Sequence, residues 1–213
     1  MWKISLLLGA FALSGNVAAA SFDCQKAKSE LEHVLCDNAE LSLLDSRLGG
    51  TYNTLTKMLN SAEVKQLRAA QTAWLGTRIT ECTAKSVDCL KRLYQKRIDT
   101  LSFRALPEYK TSAAGKVAGT YKKGKNMDLS VEALSANSIA VAMLGAGEGG
   151  RWTCDFSAEG ELKNGSAKLH VLDDEEVNFR FEKNQIIVSE ETNHNSACGV
   201  GGTLKGIYTR VTN

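Results

Sequence analysis

The chain has few of the residues that several functional classes require. It contains only three histidines in 213 residues, and none stands beside a serine or cysteine pattern that would mark an activated nucleophile. It also lacks a long run of lysine or arginine, and its formal net charge is only +2. These absences argue against a hydrolase with a catalytic triad and against a nucleic-acid-binding protein. We therefore predict neither an enzyme nor a cofactor.

Long apolar runs are scarce too, and the one that resembles a membrane segment lies at the N-terminus. Lys3 precedes an apolar stretch over residues 4–13, and Ala18-Ala19-Ala20 then precedes Ser21. A positive start, a short apolar stretch and a small-residue site describe a secretory signal peptide, whereas a membrane-spanning helix needs about 20 apolar residues. We predict that residues 1–20 are a signal peptide cleaved after Ala20, which leaves no membrane span.

Cysteine usage points to the same compartment as the signal peptide. All six cysteines follow residue 20, and an even number in an exported chain predicts three disulfides in the periplasm or outside the cell. A short polar turn separates Cys82 from Cys89, so these two are expected to pair. Cys154 and Cys198 belong to the second half and are also expected to pair with each other. A metal site at His194 and Cys198 lacks further clustered ligands.

The partner of Cys24 is left open by the sequence. Along one uninterrupted helix, a sequence separation of 12 would place Cys24 and Cys36 about 18 Å apart, which is too far for a disulfide. A turn near Ser29 would allow this pair. The alternative is that Cys24 pairs with Cys82 or Cys89, because spacing alone does not determine connectivity.

Residues 24 to about 104 have a helical pattern. Their apolar residues recur at intervals of three and four, which places them on one face of a helix. Ser29 and Glu32 form a capping-box pattern. Four helix starts are predicted, at Ser29, Asn38, Ser61 and Ser86. Four helices joined by tight turns predict antiparallel hairpins.

The second half has a different period. Residues 106–115 contain the only proline, Pro107, among small and polar residues, so we place a linker there. Beyond it apolar residues alternate with polar ones, as in Met127, Leu129 and Val131, which is typical of half-buried strands. About eight such strands favour a small antiparallel barrel or sandwich. The predicted fold class is α+β, with a helical domain at 21–105 and a β-barrel-like domain at 116–213.

One carboxylate lies inside an apolar stripe of the helical half. This carboxylate is Asp45. Trp74, Arg78 and Arg97 lie in the later predicted helices of the same half. Because a carboxylate near the core needs a compensating charge, we expect Asp45 to pair with one of the two arginines. We interpret this group as architectural.

Two glycine-rich stretches occur in the β half. Residues 145–150 match the letters of a dinucleotide-binding fingerprint, but the residues that follow, 151–156, alternate like a strand instead of starting a helix. We therefore predict a hairpin loop there. Together with the stretch at 198–202 it is expected at a barrel end, where binding surfaces are commonly built.

Several separated elements of the helical half carry a family resemblance. In chain order they are Phe22-Asp23-Cys24, Ala27, Glu32, Leu35-Cys36, Leu41, Leu44-Asp45, Leu48, Tyr52, Leu67, Gln71, Trp74-Leu75, Arg78, Cys82, Cys89-Leu90, Tyr94, Arg97-Ile98 and Leu101. Over about residues 22–102 the chain resembles the N-terminal domain of LprI-type lysozyme inhibitors. The resemblance implies a periplasmic or surface protein, and in some family members an inhibitor of lysozyme. It brings no agreed set of contact residues.

The resulting functional hypothesis is a binding protein that occludes the cleft of a lysozyme or related peptidoglycan hydrolase. A lysozyme cleft carries two catalytic carboxylates, so basic side chains on protruding loops are the candidate contacts. We select Arg151, Lys122, Lys123 and Lys125. Two alternatives stay open: a small-ligand-binding or docking envelope protein without inhibitory activity, and an immunity protein against a secreted hydrolase. A roomy apolar cavity inside the barrel would favour a small ligand.

Overall fold

A computed structural model describes residues 20–83, 86–171, 175–190 and 197–211. Residues 1–19 of the predicted signal peptide, and His194, lie outside the described residues. Among the helices that are described, none has the length and apolar character needed to cross a membrane.

The first half is helical, as its period predicts. After a 3-10 turn at Cys24–Lys26 it contains helices α1 (Glu30–Asp37), α2 (Ala39–Met58), α3 (Ser61–Glu81) and α4 (Val87–Arg104). The capping box of α1 is confirmed, because Ser29 Oγ accepts from the Glu32 amide at 3.2 Å and the Glu32 carboxylate accepts from the Ser29 amide at 2.8 Å. Helix α3 does begin at Ser61, but its cap is Asn60.

The helices enclose a leucine-rich core. Its fully buried members come mainly from α2 and α4 and include Leu41, Leu48, Leu55, Leu90, Tyr94, Ile98 and Leu101. Two disulfides close this half, and the alternative pairing of Cys24 with Cys82 or Cys89 is wrong. Cys24 bonds to Cys36 and Cys82 to Cys89, each pair with its Cα atoms 5.8 Å apart. The chain between the 3-10 turn and α1 supplies the turn near Ser29 that the first of these bonds requires.

The predicted linker, residues 106–115, contains regular structure. A 3-10 helix at Pro107–Lys110 is followed by the short helix α5 (Ala113–Val117). Ala114 is fully buried and belongs to the core of the second half. Tyr109 packs edge-on against Phe103 of α4, with ring centroids 5.5 Å apart. The connection therefore contacts both halves.

The second half is one eight-stranded antiparallel sheet that closes almost into a barrel. The strands are β1 (Gly119–Lys123), β2 (Met127–Ala133), β3 (Ser138–Ala146), β4 (Thr153–Glu161), β5 (Ser166–His170), β6 (Glu176–Glu182), β7 (Gln185–Glu190) and β8 (Gly206–Arg210). Their spatial order is β4-β3-β2-β1-β8-β7-β6-β5. This confirms the α+β class. Strand β1 was not marked by apolar alternation, because its only fully buried residue is Tyr121.

Side chains fill the barrel interior. Tyr121, Phe179 and Tyr208 are at most 1% exposed and lie in a core to which all eight strands contribute buried side chains. The Tyr208 hydroxyl donates to the Leu204 carbonyl at 2.7 Å, so its polar end is satisfied inside this core. A filled interior is typical of eight-stranded barrels of this size.

Candidate functional site

The two glycine-rich stretches and the β1–β2 turn lie at the same end of the barrel. The register pairs Met127 with Gly145, and Gly145 with Cys154, so the β1–β2 turn and the β3–β4 loop lie at the same end. Strand β8 is antiparallel to β1, so its start at Gly206 and the β7–β8 connection also lie at this end. We call residues 124–126, 147–152 and 197–205 the loop end.

Trp152 packs between the two glycine-rich loops of the loop end. A Cβ atom added at Gly147 would lie 2.4 Å from its indole ring, and one added at Gly202 would lie 2.9 Å from it. Glycine at both positions therefore lets the backbone close on the half-buried ring. The Gly147 amide also donates to the Trp152 carbonyl at 2.9 Å. Packing against Trp152 thus explains Gly147, one of the glycines in the match to a dinucleotide fingerprint, whereas Gly149 and Gly150 have positive φ angles of 71° and 68°.

A disulfide joins the same loops. Cys154 at the start of β4 bonds to Cys198, as predicted, with a sequence separation of 44 residues. Two backbone hydrogen bonds flank this bond, from the Asp155 amide to the Ala197 carbonyl at 2.9 Å and from the Gly199 amide to the Thr153 carbonyl at 2.8 Å. Cys198 is therefore not available as a thiolate ligand for a metal.

The four predicted contact cations have different surroundings. Arg151, beside Trp152, and Lys125, in the β1–β2 turn, are exposed, and neither side chain has an ion-pair partner within the described part of the chain. Lys122 forms an ion pair with Asp128 at 3.2 Å. The amine of Lys123 donates to the Lys205 carbonyl and lies 5.8 Å from the centre of the Tyr208 ring. Of these four cations, Arg151 and Lys125 are therefore the two exposed ones without an ion-pair partner among the described residues.

Apolar side chains accompany these cations. Val200, on the loop that Cys198 anchors, is fully exposed, and Leu144 on β3 is 69% exposed. Sequence analysis missed both, although a valine between glycines at positions 199 and 201 was a signal for an exposed tip. Exposed apolar and basic groups on a rigid support are typical of a protein-binding surface.

A second concave surface lies in the helical half. This groove, of about 550 Å³, is lined by apolar side chains that include Phe22, Leu31 and the exposed Leu75 and Ile79. Asp45 and Arg78 also line it. The arrangement provides an apolar channel with one buried polar group along its wall.

Hydrogen bonds link the polar residues Asp45 and Arg78 of this groove through Tyr94. The Tyr94 hydroxyl donates to Asp45 at 3.0 Å and accepts from the Arg78 guanidinium, which lies over the rings of Trp74 and Tyr94 at 5.2 and 5.6 Å. Asp45 is thus linked to Arg78 only through Tyr94, so the expected direct pairing with an arginine is wrong. Burial raises the pKa of Tyr94, and Asp45 contributes in the same direction, so its hydroxyl keeps its proton.

Arg97, the other candidate partner of Asp45, instead contacts the barrel. Its guanidinium donates to Glu132 of β2 at 2.6 Å and to Gln71 at 3.0 Å. Lys96 pairs with Glu159 of β4 next to it. A cleft of about 130 Å³ between the helices and the barrel surrounds these pairs. Arg97 therefore contributes an ion pair to the contact between the two halves.

These features define a class of protein: a disulfide-bonded helical domain that precedes a small antiparallel barrel with a cross-linked loop end. Residues 23–101, which cover most of the helical half, match the family model described as Lysozyme inhibitor LprI. The match ends before the barrel. No curated protein and no solved structure matches the chain.

Proposed function

We propose that this chain is an exported cell-envelope protein that binds and inhibits a lysozyme or a related muramidase, and that the loop end of the barrel enters the enzyme's cleft. The match of residues 23–101 to the family model described as Lysozyme inhibitor LprI is the observation that supports an inhibitory function. The chemistry of the loop end supports the choice of contact surface.

Export is supported by two independent features. The signal-peptide pattern over residues 1–20 addresses the chain to the periplasm or the exterior. All six cysteines pair in three disulfides, which persist in an oxidising compartment. We therefore propose the periplasm or the cell exterior as its location.

The proposed contact matches the target in charge, and its loop is held in place before binding. A lysozyme cleft holds two carboxylates, and Arg151 presents a guanidinium with a fork of donors that suits a carboxylate. Packing around Trp152 and the bond from Cys154 to Cys198 hold its loop in place before binding. A preorganised loop loses less conformational freedom on binding, which favours affinity.

The small-ligand alternative is disfavoured by the barrel interior. Tyr121, Phe179 and Tyr208 occupy the space that a ligand would need. A docking role without inhibition would use the groove beside Leu75 and Ile79. An immunity protein would share the loop-end chemistry but would be selective for one secreted hydrolase, so a panel of enzymes separates the two.

The test is a cell-wall lysis assay with the chain from Ser21 to Asn213. We expect inhibition of at least one of the chicken-type, goose-type and invertebrate-type lysozymes, and absence of inhibition across all three would contradict the proposal. Arg151→Ala is expected to weaken inhibition about 10- to 100-fold. Arg180→Ala is the matched control, because Arg180 is 63% exposed on β6 toward the opposite end of the barrel. Equal inhibition by both variants would place the contact elsewhere.

A further inference from the structure

Asp45 is a buried carboxylate that has no cation in direct contact within the described residues. The residue is only 7% exposed. Besides the Tyr94 hydroxyl, it accepts two hydrogen bonds from Ser21: one from the backbone nitrogen at 2.7 Å and one from the side-chain hydroxyl at 2.5 Å. A carboxylate in such a place is expected to have a compensating positive charge.

The position of Ser21 in the chain suggests where that charge comes from. Ser21 is the residue that follows the predicted cleavage site at Ala18-Ala19-Ala20. When a signal peptidase adds water across the Ala20–Ser21 peptide bond, Ala20 receives a carboxylate and Ser21 receives a free amine. An α-amino group has an ordinary pKa of about 8, so at neutral pH it takes up a proton and becomes an ammonium ion.

We propose that removal of the signal peptide creates the missing counter-charge, and that the new α-ammonium of Ser21 forms an ion pair with Asp45. In the uncleaved chain the same nitrogen is an uncharged amide that donates one hydrogen bond at 2.7 Å. After cleavage it carries a positive charge and two further donor hydrogens. Processing thereby completes a chain of groups from Ser21 through Asp45 and Tyr94 to Arg78.

Helix α2 has a space that fits this terminus. A Cβ atom added at Gly49 would lie 3.1 Å from the Ser21 Cβ, which is closer than side chains normally approach, whereas nothing lies within 4 Å of one added at the neighbouring Gly50. Glycine inside a helix costs stability relative to alanine. The close approach of Ser21 explains why position 49 is a glycine. No contact explains the glycine at position 50.

The following residues hold Ser21 at this position. The disulfide between Cys24 and Cys36 fixes the chain three residues after Ser21 to helix α1. The new terminus therefore has little freedom to lose when it pairs with Asp45. This inference does not depend on lysozyme binding, and each can fail without the other.

The test compares the processed chain, starting at Ser21, with the same chain selectively acetylated on its α-amino group. Acetylation removes the charge and keeps one N–H donor. We expect it to lower the melting temperature of the helical domain by about 3 °C or more. In an Asp45→Asn background the same acetylation should have almost no effect, because the partner charge is gone. The comparison can be interpreted even though Asp45→Asn alone destabilises the domain, because the effect of acetylation is measured separately in each background.

A pair of glycine variants gives a second measurement on the processed chain. Gly49→Ala should have a lower melting temperature than Gly50→Ala, because its new methyl group would press against the Ser21 Cβ beside Asp45, whereas Gly50→Ala gains helix propensity without such a contact. Equal effects of acetylation with and without Asp45, equal effects of the two glycine variants, or a processed N-terminus other than Ser21 would each overturn the proposal.

Discussion

Arg97 of α4 and Glu132 of β2 form a 2.6 Å ion pair that joins the helical half to the barrel. The Arg97 side chain is 3% exposed and that of Glu132 is 18% exposed, so both charges are largely removed from water. Arg97 belongs to the closing pattern of the family resemblance. A residue of the region that matches the family model therefore contacts a domain that the match does not cover.

Removing one member of this pair should destabilise the protein strongly. Arg97→Met leaves Glu132 as an uncompensated, partly buried charge, and we expect a loss of about 2–4 kcal/mol in the free energy of unfolding. The double variant Arg97→Met/Glu132→Leu should recover most of that loss, since it removes both charges. Chemical denaturation measures both values.

Lys96→Ala is the matched control for the Arg97 variant. It breaks the neighbouring pair with Glu159, whose side chain is 44% exposed, and should cost less than about 1 kcal/mol. If Arg97→Met were as mild as Lys96→Ala, the ion pair with Glu132 would not hold the two halves together.

The packing of Trp152 should decide whether the loop end keeps its shape. Gly147→Ala forces the new methyl group into the indole ring, and we expect a loss of about 1–3 kcal/mol together with weaker inhibition. Gly76→Ala is the control, because nothing lies within 4 Å of its added Cβ. Both variants are compared in inhibition assays and by thermal denaturation. Unchanged inhibition by Gly147→Ala would mean that the packing of Trp152 does not contribute to the contact surface.

Glu63 and Lys110 should make the stability of the connection depend on acid pH. They form a 2.8 Å ion pair between α3 and the 3-10 helix at Pro107–Lys110. The hydrogen bond from Lys110 holds the pKa of Glu63 below its ordinary value of 4.5, against the opposing effect of burial. Because the folded pKa is lowered, this stabilisation is present above pH 4.5 and is lost as the pH falls through the folded pKa.

Glu63→Gln should therefore lower stability at neutral pH by about 0.5–1 kcal/mol and have little effect near pH 3. Denaturation of the two proteins at both pH values tests this expectation. A difference that stays the same at both pH values would mean that the charge of Glu63 contributes nothing.

Local signals in the sequence predicted most of the elements. The capping box of Ser29 and Glu32 and the cap at Asn38 are set by neighbours within a few residues, so they are visible without a tertiary structure. The alternation in β2, from Met127 to Ala133, is equally local. Strand β1 was missed because Gly119 and Lys123, which share a strand face with the buried Tyr121, are not apolar.

Long-range partners were harder to predict. Asp45 was expected to pair with an arginine, but its contacts are the Tyr94 hydroxyl and Ser21, 24 residues before it in the chain. Likewise, nothing near Arg97 in the sequence indicates Glu132, 35 residues away and in another domain. Such pairs depend on how domains pack, which periodicity does not encode.

The most direct test of the central claim is an equilibrium binding measurement between the processed chain and a lysozyme that it inhibits. We predict that Arg151→Ala/Lys125→Ala raises the Kd about 100-fold, since loss of charged contacts in a cleft mainly weakens affinity. The control Arg180→Ala/Lys163→Ala removes the same charge toward the opposite end of the barrel and should leave the Kd unchanged. A Kd for the Arg151 and Lys125 variant equal to that of the control would contradict binding through the loop end.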